Sequence, residues 1–162
     1  MLESFTFIAN QQTKILIIGS MPGIASLRAQ EYYAHPQNLF WKFVFKACCV
    51  DYNFPTYNEK IAVLSSHCLG LWDVVKNCAR EGSLDCNIKE VIPNDFYFLT
   101  NCYPNILKFL FNGQKAFKLF KTFYPELLIK KQYAVLPSTS PANASIPFKE
   151  KESIWINSLI SI

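Results

Sequence analysis

The 162-residue chain is poor in residue types on which several protein classes depend. It has 2 His and 5 Gly, only 17% of its residues are charged, and no apolar run approaches the roughly 20 residues of a membrane-spanning helix. Disordered, collagen-like and low-complexity chains are also excluded, because 51% of the residues are apolar and can build a core. We expect a single domain over residues 1–162.

Metal-ligand spacing and secretion signals are also missing. Neither CxxC nor HxxxH occurs, so we expect no metal and no cofactor. The 6 Cys suit a reducing compartment, mostly as buried small side chains, since a chain of this length does not need disulfide bonds. The start, MLESFTFIANQQTK, has neither a basic nor a continuous apolar segment, and we expect a cytoplasmic protein with no membrane partner.

Short apolar runs predict several strands. The run 14–20 (KILIIGS) predicts a strand buried on both faces, and 132–136 predicts another. Residues 69–76 predict a strand or a helix-to-strand join, and one or both of 95–102 and 106–113 are expected to be strands.

Helices are predicted between these strands. A nearly all-apolar helix is expected to start at Asn38, with Asn38 as its N-cap, and further helices near 59–66, over 114–124 and over 150–160. Residues 20–37 and 77–95 are predicted to be mainly loop. The alternation predicts an α/β fold, a three-layer α/β/α sandwich around a central, mostly parallel four-stranded sheet.

Turn-rich segments follow three of the predicted strands: GSMPG (19–23), FNG (111–113) and LPSTSPANA (136–144). The carboxyl ends of parallel strands meet at one edge of a sheet, where ligands of open α/β sheets bind. Glycines and small hydroxyl residues there would let backbone amides approach phosphates. From composition alone, ordinary turns explain these segments equally well.

Several of these segments resemble the uracil-DNA glycosylase superfamily. GSMPGIASLRAQEYYAHPQNLFW is similar to its motif 1, which in the mismatch-specific branch reads GxNPG followed by HPxNxFW, and LPSTSPANA is similar to motif 2. Motif 2, together with REGSLD, PNDF and FNGQKA, most resembles the hypoxanthine-DNA glycosylase branch, family six. The resemblance runs from about residue 14 to 143 and implies a monofunctional glycosylase that flips a deaminated base out of DNA.

Motif 1 departs from the superfamily at one position. Where the mismatch-specific branch has a catalytic Asn and the fastest uracil enzymes have an Asp, this chain has Met21, whose thioether can neither orient nor deprotonate water. The resemblance therefore implies Asn38, the Asn of HPQN, as the catalytic residue. The alternative is that Asn38 only caps the helix, and both roles are compatible.

The resemblance also implies the residues that contact base and DNA. Tyr33 is expected to stack on the base, Asn112 to read its edge, and Ser20 and Met21 to lie beside it. An ordinary turn explains Asn112 nearly as well. Motif 2 is expected to contact DNA, with hydroxyls at phosphates and a small wedge near the gap left by the base, through Ser138, Thr139, Ser140, Pro141, Ala142 and Asn143.

Other polar residues are expected to be structural. Helix caps or surface ion pairs are the expected roles of Asp73, Asp85 and Asp95, with approach to the site from a neighbouring loop as the alternative for each. His35 is expected to position the loop before Asn38. Six lysines and one acid between residues 108 and 131 favour either a DNA-backbone surface or a solvated helix face.

Two other functions stay open. The first is a small esterase or nucleotide hydrolase with Ser20 as nucleophile and His35 as base, although GSMPG lacks the GxSxG elbow that such enzymes use. The second is a DNA-binding module of the same fold without activity. Under the main interpretation the partner is DNA that contains hypoxanthine or uracil, and the protein is a monomer.

Overall fold

The computed structural model describes residues 1–161. Its strands are β1 (Leu2–Glu3), β2 (Ile15–Gly19), β3 (Leu69–Asp73), β4 (Val75–Ala79), β5 (Lys89–Pro93), β6 (Lys108–Asn112) and β7 (Gln132–Leu136). Its α-helices are α1 (Ile24–Ala29), α2 (Phe40–Ala47), α3 (Tyr57–Ser66), α4 (Phe96–Cys102), α5 (Gln114–Phe123), α6 (Pro125–Lys130) and α7 (Phe148–Ile160), with a 3₁₀ turn at Asp85–Asn87.

A parallel four-stranded sheet in the order β3-β2-β6-β7 forms the middle layer. Strand β2 lies inside the sheet, and its side chains alternate between two apolar clusters. Ile15 and Ile17 face the cluster built with α2, α3 and α7, and Leu16 and Ile18 face the one built with α4, α5 and α6. The predicted α/β/α sandwich is confirmed.

Parts of the secondary structure differ from the prediction. Of the two runs expected to include at least one strand, 106–113 contains β6, whereas 95–102 contains helix α4 and its cap. Asp95 accepts a hydrogen bond from the Phe98 N–H at 2.9 Å, and the buried Phe96 and Leu99 have helical spacing. Helix α1 lies in the predicted loop 20–37. The predicted loop 77–95 contains most of β4 and β5, which form an antiparallel sheet in the order β1-β4-β5.

The cysteines are less buried than predicted. Only Cys78 is buried, Cys48 and Cys68 are half-buried, and the rest are exposed; all six are free thiols. None of the helices within residues 1–161 is long and apolar enough to span a membrane. The cytoplasmic location stays a prediction.

Helix α7 ties the carboxyl end of β7 to the rest of the fold. Trp155 is fully buried against Phe40 and Phe43 of α2, and its Nε1–H donates to the Pro137 carbonyl at 2.8 Å. One turn earlier, the buried Lys151 ammonium donates to the Asn143 carbonyl at 2.7 Å. Two side chains of one helix therefore hold both ends of the segment that follows β7.

We expect Trp155→Phe to lower the free energy of unfolding by about 2 kcal/mol, because the Pro137 carbonyl loses its buried donor while most of the aromatic packing remains. Urea denaturation followed by circular dichroism measures the change. Ser153→Ala, at an exposed position of the same helix, is the control and should leave the transition midpoint unchanged. Equal midpoints for wild type and Trp155→Phe would contradict the anchoring role.

Candidate active site

A cleft of about 810 Å³ opens at the carboxyl edge of the parallel sheet. It is lined by residues 19–23 after β2, 112–114 after β6 and 135–143 of β7 and its following loop. The predicted meeting of these three segments is confirmed. Its size is typical of ligand-binding clefts, which range over roughly 300–1,000 Å³.

The turn after β2 is fixed by groups from a distant loop. The Arg80 guanidinium donates to the carbonyls of Met21 and Pro22, and the Ser83 hydroxyl accepts from the Ile24 N–H at 2.8 Å. Met21 is buried beside the cleft and packs in a cluster with Val75 and other apolar residues. Because these hydrogen bonds hold its backbone groups in place, the turn forms a rigid wall of the cleft.

Ser20 bonds to an acid rather than to a histidine. Its hydroxyl donates to Asp85 Oδ1 at 2.6 Å. His35 is exposed, and its Nδ1 accepts from the Gln37 N–H at 3.2 Å. The Ser20–His35 pair that an esterase would need is therefore not formed. His35 does brace the loop before the helix, because its carbonyl accepts from the Asn38 N–H at 2.9 Å.

Asn38 lines the cleft and caps α2 at the same time. Its Oδ1 accepts a hydrogen bond from the Phe40 N–H at 3.0 Å, as expected of a capping side chain. The helix itself begins at Phe40, so the N-cap position belongs to Leu39, one residue later than predicted. A carbonyl oxygen has two lone pairs, so the capping bond leaves one acceptor site on Oδ1.

Tyr33 and Tyr32 have different surroundings. The Tyr33 ring stacks on Phe40 at 4.1 Å between centroids, and its buried hydroxyl has no hydrogen-bond partner within residues 1–161. Burial raises the pKa of the Tyr33 hydroxyl well above its ordinary value, the Asp73 charge adds to the rise, and the neighbouring Asn112 amide opposes it. The Tyr32 hydroxyl is used by the carbonyls of Phe5 and Thr6. Of the two tyrosines, Tyr33 has the hydroxyl that is free to meet a ligand.

Asn112, at the end of β6, forms a reciprocal pair with Thr139. Its Nδ2 donates to the Thr139 hydroxyl at 2.8 Å, and its Oδ1 accepts from the Thr139 N–H at 2.9 Å. Thr139 is fully buried, and its side chain links two loops. It is therefore not exposed for the phosphate contact that was predicted for it. Asn112 keeps one N–H and one lone pair on the cleft side of this pair.

The rest of the motif 2 loop is compact and presents a small tip. Ser140 N–H donates to the Ser138 hydroxyl at 3.2 Å, and Asn143 Nδ2 donates to the Ser138 carbonyl at 3.2 Å. Pro141 and Ala142 are exposed at the rim of the cleft. The loop therefore presents an ordered, apolar point beside the opening.

Two acids that were predicted to cap helices or to form surface ion pairs lie in the cleft instead. Asp73, the last residue of β3, is 3% exposed, and its Oδ2 has no hydrogen-bond partner in the described chain. Burial raises the pKa of Asp73 to about 8, Asp85 adds to the rise and Arg80 opposes it. Burial also raises the pKa of Asp85, against the Ser20 hydrogen bond and the charge of Arg80. Asp95 has the predicted capping role.

Strand register explains why Asp73 lies at the cleft. Gly19 pairs with Asp73 across β2 and β3, and a Cβ at Gly19 would lie 2.2 Å from Asp73 Oδ1 and 2.9 Å from the Tyr33 hydroxyl. The missing side chain at position 19 therefore makes room for both oxygens. In the sequence, the only signal was an acid at the end of an apolar run, which ordinary surface residues share.

The lysine cluster does not form one surface at the cleft. Lys108 Nζ donates to the carbonyls of Ser158 and Ser161 at the end of α7, and Lys131 Nζ donates to the Ile106 carbonyl. Both residues flank the amino ends of their strands, opposite the cleft. Lys115, in the first turn of α5, lies close enough for its charge to lower the pKa of Asp85.

Comparison with known proteins assigns the chain to a family. A family model described as the uracil DNA glycosylase superfamily matches residues 5–157. A hypoxanthine DNA glycosylase of Methanosarcina acetivorans is 39% identical over 155 residues, 94% of each chain, and one of Methanosarcina barkeri is 35% identical over 155 residues, again 94% of each. The chain belongs to the uracil DNA glycosylase superfamily.

A solved structure agrees with this assignment. The solution NMR structure of a candidate uracil DNA glycosylase from Methanosarcina acetivorans has a TM-score of 0.83 and 36% identity, covering 98% of this chain and 96% of that one. This superfamily member is thus a DNA glycosylase, a hydrolase of N-glycosyl bonds in base excision repair. The esterase interpretation is disfavoured by the Ser20–Asp85 bond, and the inactive-module interpretation by the named relatives.

We expect Gly19→Ala to lower the single-turnover rate of base excision by about 100-fold, because its Cβ must displace the Asp73 carboxyl and the Tyr33 hydroxyl. Gly23→Ala, in the same turn, is the matched control, since its Cβ comes no closer than 3.4 Å to the Ser83 hydroxyl. The control should keep its rate within a few-fold. Equal rates for the two variants would show that the space above Gly19 is not needed.

Proposed function

We propose that this glycosylase excises hypoxanthine, and with lower efficiency uracil, from DNA and leaves an abasic site. The observation that most supports it is the convergence of the three strand-end loops on one cleft, in a chain 39% identical to a hypoxanthine DNA glycosylase. Both bases arise by deamination and share an edge with a carbonyl oxygen next to an N–H. A cleft with amide, hydroxyl and carboxyl groups suits that edge.

Asn38 is proposed to hold the attacking water. The free acceptor site on its Oδ1 would bind one hydrogen of a water molecule, while the capping bond to Phe40 fixes the side chain. An amide has no useful pKa for deprotonating water, so its contribution is orientation of the water at the anomeric carbon. Hydrolysis of the N-glycosidic bond then depends on positioning and on stabilisation of the departing base.

The base is proposed to enter between Tyr33 and the turn after β2. Tyr33 already stacks on Phe40 and has a second face to offer to a base. The remaining N–H and lone pair of Asn112 match the donor and acceptor needs of a hypoxanthine edge. Ser20 and Met21 would border the base from the floor of the cleft.

The motif 2 loop is proposed to contact the DNA strand. Ser138 and Ser140 would meet phosphates, with Asn143 supporting them, and Pro141 with Ala142 would fill the gap left by the extruded base. Within the described chain, the side chains that line the cleft include no lysine that could form an imine with the sugar. The abasic site is therefore proposed to persist without strand cleavage, and a monomer is the proposed active form.

Single-turnover assays on duplexes with one deoxyinosine or one deoxyuridine test the substrate. We expect alkali-labile sites in both, formed faster with deoxyinosine, and intact strands before alkali treatment. Denaturing gel electrophoresis with and without alkali measures both properties. Strand breaks without alkali, or no labile site in either duplex, would contradict the proposal.

Asn38 variants separate catalysis from capping. Asn38→Ser keeps an oxygen that caps helices well but removes the amide, so we expect nearly wild-type unfolding and a rate at least about 100-fold lower. Asn38→Ala should lose the rate and also about 1 kcal/mol of stability. Single-turnover kinetics and urea denaturation measure the two effects. If Asn38→Ser is fully active, Asn38 is a cap only.

A further inference from the structure

The Asp73 carboxyl is the buried titratable group that the proposed mechanism leaves unused. It is 3% exposed, it lines the cleft, and its Oδ2 has no hydrogen-bond partner within residues 1–161. The Tyr33 hydroxyl is likewise buried without a partner there. The other oxygen of the same carboxyl, Asp73 Oδ1, and the Tyr33 hydroxyl border the volume above Gly19, where the turn after β2 begins. Unpaired buried polar atoms are costly in a folded protein, which suggests that they meet a ligand.

We propose that Asp73 is a catalytic residue whose neutral carboxyl donates a hydrogen bond to the extruded base and transfers its proton to a base nitrogen as the glycosidic bond breaks. This rests on the proposed function, because it assigns a second role within the same cleft. Asn38 would act at the sugar and Asp73 at the base. Protonation of the departing base by Asp73 would compensate for the absence of a strong general base that could deprotonate the attacking water.

The proton balance of this step closes. The bond between C1′ and the base nitrogen breaks, and its electron pair moves to the base, which accepts the Asp73 proton at a ring nitrogen. Water adds to C1′ and releases one proton, which returns to the Asp73 carboxylate through solvent. The products are the free base, the abasic sugar and the neutral carboxyl, with no oxidant or further reactant.

The surroundings favour the neutral form of Asp73. The titratable and charged groups that face it are Tyr32 and Tyr33 before α2, Tyr57 of α3, Arg80 after β4 and Asp85 of the 3₁₀ turn. Arg80 opposes the effect of Asp85, but its guanidinium is bonded to the carbonyls of Met21 and Pro22. The balance raises the pKa of Asp73 to about 8, mainly through burial. The carboxyl is therefore a proton donor at neutral pH.

The first test is the pH dependence of the single-turnover rate on a deoxyinosine duplex, for wild type and Asp73→Asn. The wild-type rate should fall as pH rises through about 8, because the donor loses its proton. Asp73→Asn keeps a hydrogen-bond donor but no transferable proton, and its rate at pH 6.5 should be about 100-fold lower. Hypoxanthine itself loses a proton at alkaline pH, which could also lower the rate. The fall of the wild-type rate near pH 8 is therefore assigned to Asp73 only if it is absent in Asp73→Asn.

Two outcomes of this first test would overturn the assignment. One is an Asp73→Asn enzyme with the wild-type rate and profile, and the other is a wild-type rate that rises through pH 8, which would make Asp73 a base. Asp85→Asn provides a second variant that leaves Asp73 in place. Loss of the Asp85 charge should move the fall of the rate to lower pH, and an unmoved profile would contradict the proposal.

A stability measurement tests the neutral carboxyl without any substrate. In the unfolded chain, Asp73 ionises near its ordinary pKa of 3.8, whereas in the folded protein it ionises only near 8. Between these two values the unfolded chain is ionised and the folded protein is not, so the free energy of unfolding of the wild type falls as the pH rises. Asp73→Asn does not titrate. Its melting temperature relative to wild type should therefore rise from pH 5 to pH 8 and then level off.

A difference that is constant with pH would refute the neutral carboxyl, whatever the activity assays show. Failure of the proposed function would look different, because wild type would then form no abasic site at any pH. The two failures are thus separable.

Discussion

The parallel pairing of β3, β2, β6 and β7 brings the strand-end groups of the cleft together. Gly19 faces Asp73 in one register, Ile18 faces Phe111 in the other, and Asn112 faces Leu136 across β6 and β7. Three parallel registers therefore end at the same height, and each strand delivers its next residues to one edge. A shift of the β2–β3 pairing would separate the Asp73 carboxyl from the turn that accommodates it, and a shift of the β2–β6 pairing would separate Asn112 from that turn.

The cleft concentrates polar groups in a place where burial is costly. Burial, and after it the charge of Asp85, raises the pKa of Asp73, and in residues 1–161 neither acid forms an ion pair. Apolar clusters on both faces of the sheet supply the stability that holds them there. A carboxyl kept neutral in this way suits chemistry in which negative charge develops on a departing base.

Much of this arrangement could be predicted from sequence because it is local. The β-branched run before Gly19 and the strand at 132–136 are visible as short apolar segments. Because the carboxyl ends of parallel strands meet at one edge of a sheet, the loops that follow them could be predicted to lie together. The resemblance in HPQN supplied Asn38, whose capping bond is local too. The place of Asp73 and Asp85 in the cleft was only the less favoured alternative from the sequence, because it depends on strand register and on the return of a distant loop. Aromatic content left 95–102 open as a strand beside 106–113, whereas burial spacing and the Asp95 cap specify a helix there.

The cleft is proposed to break the bond between sugar and base. Mass spectrometry of the small molecules released from a deoxyinosine duplex tests this cleavage most directly. We expect free hypoxanthine in amounts equal to the alkali-labile sites. Release of the nucleoside or nucleotide would show that a phosphate bond is cut instead, and absence of any released base would contradict glycosidic cleavage.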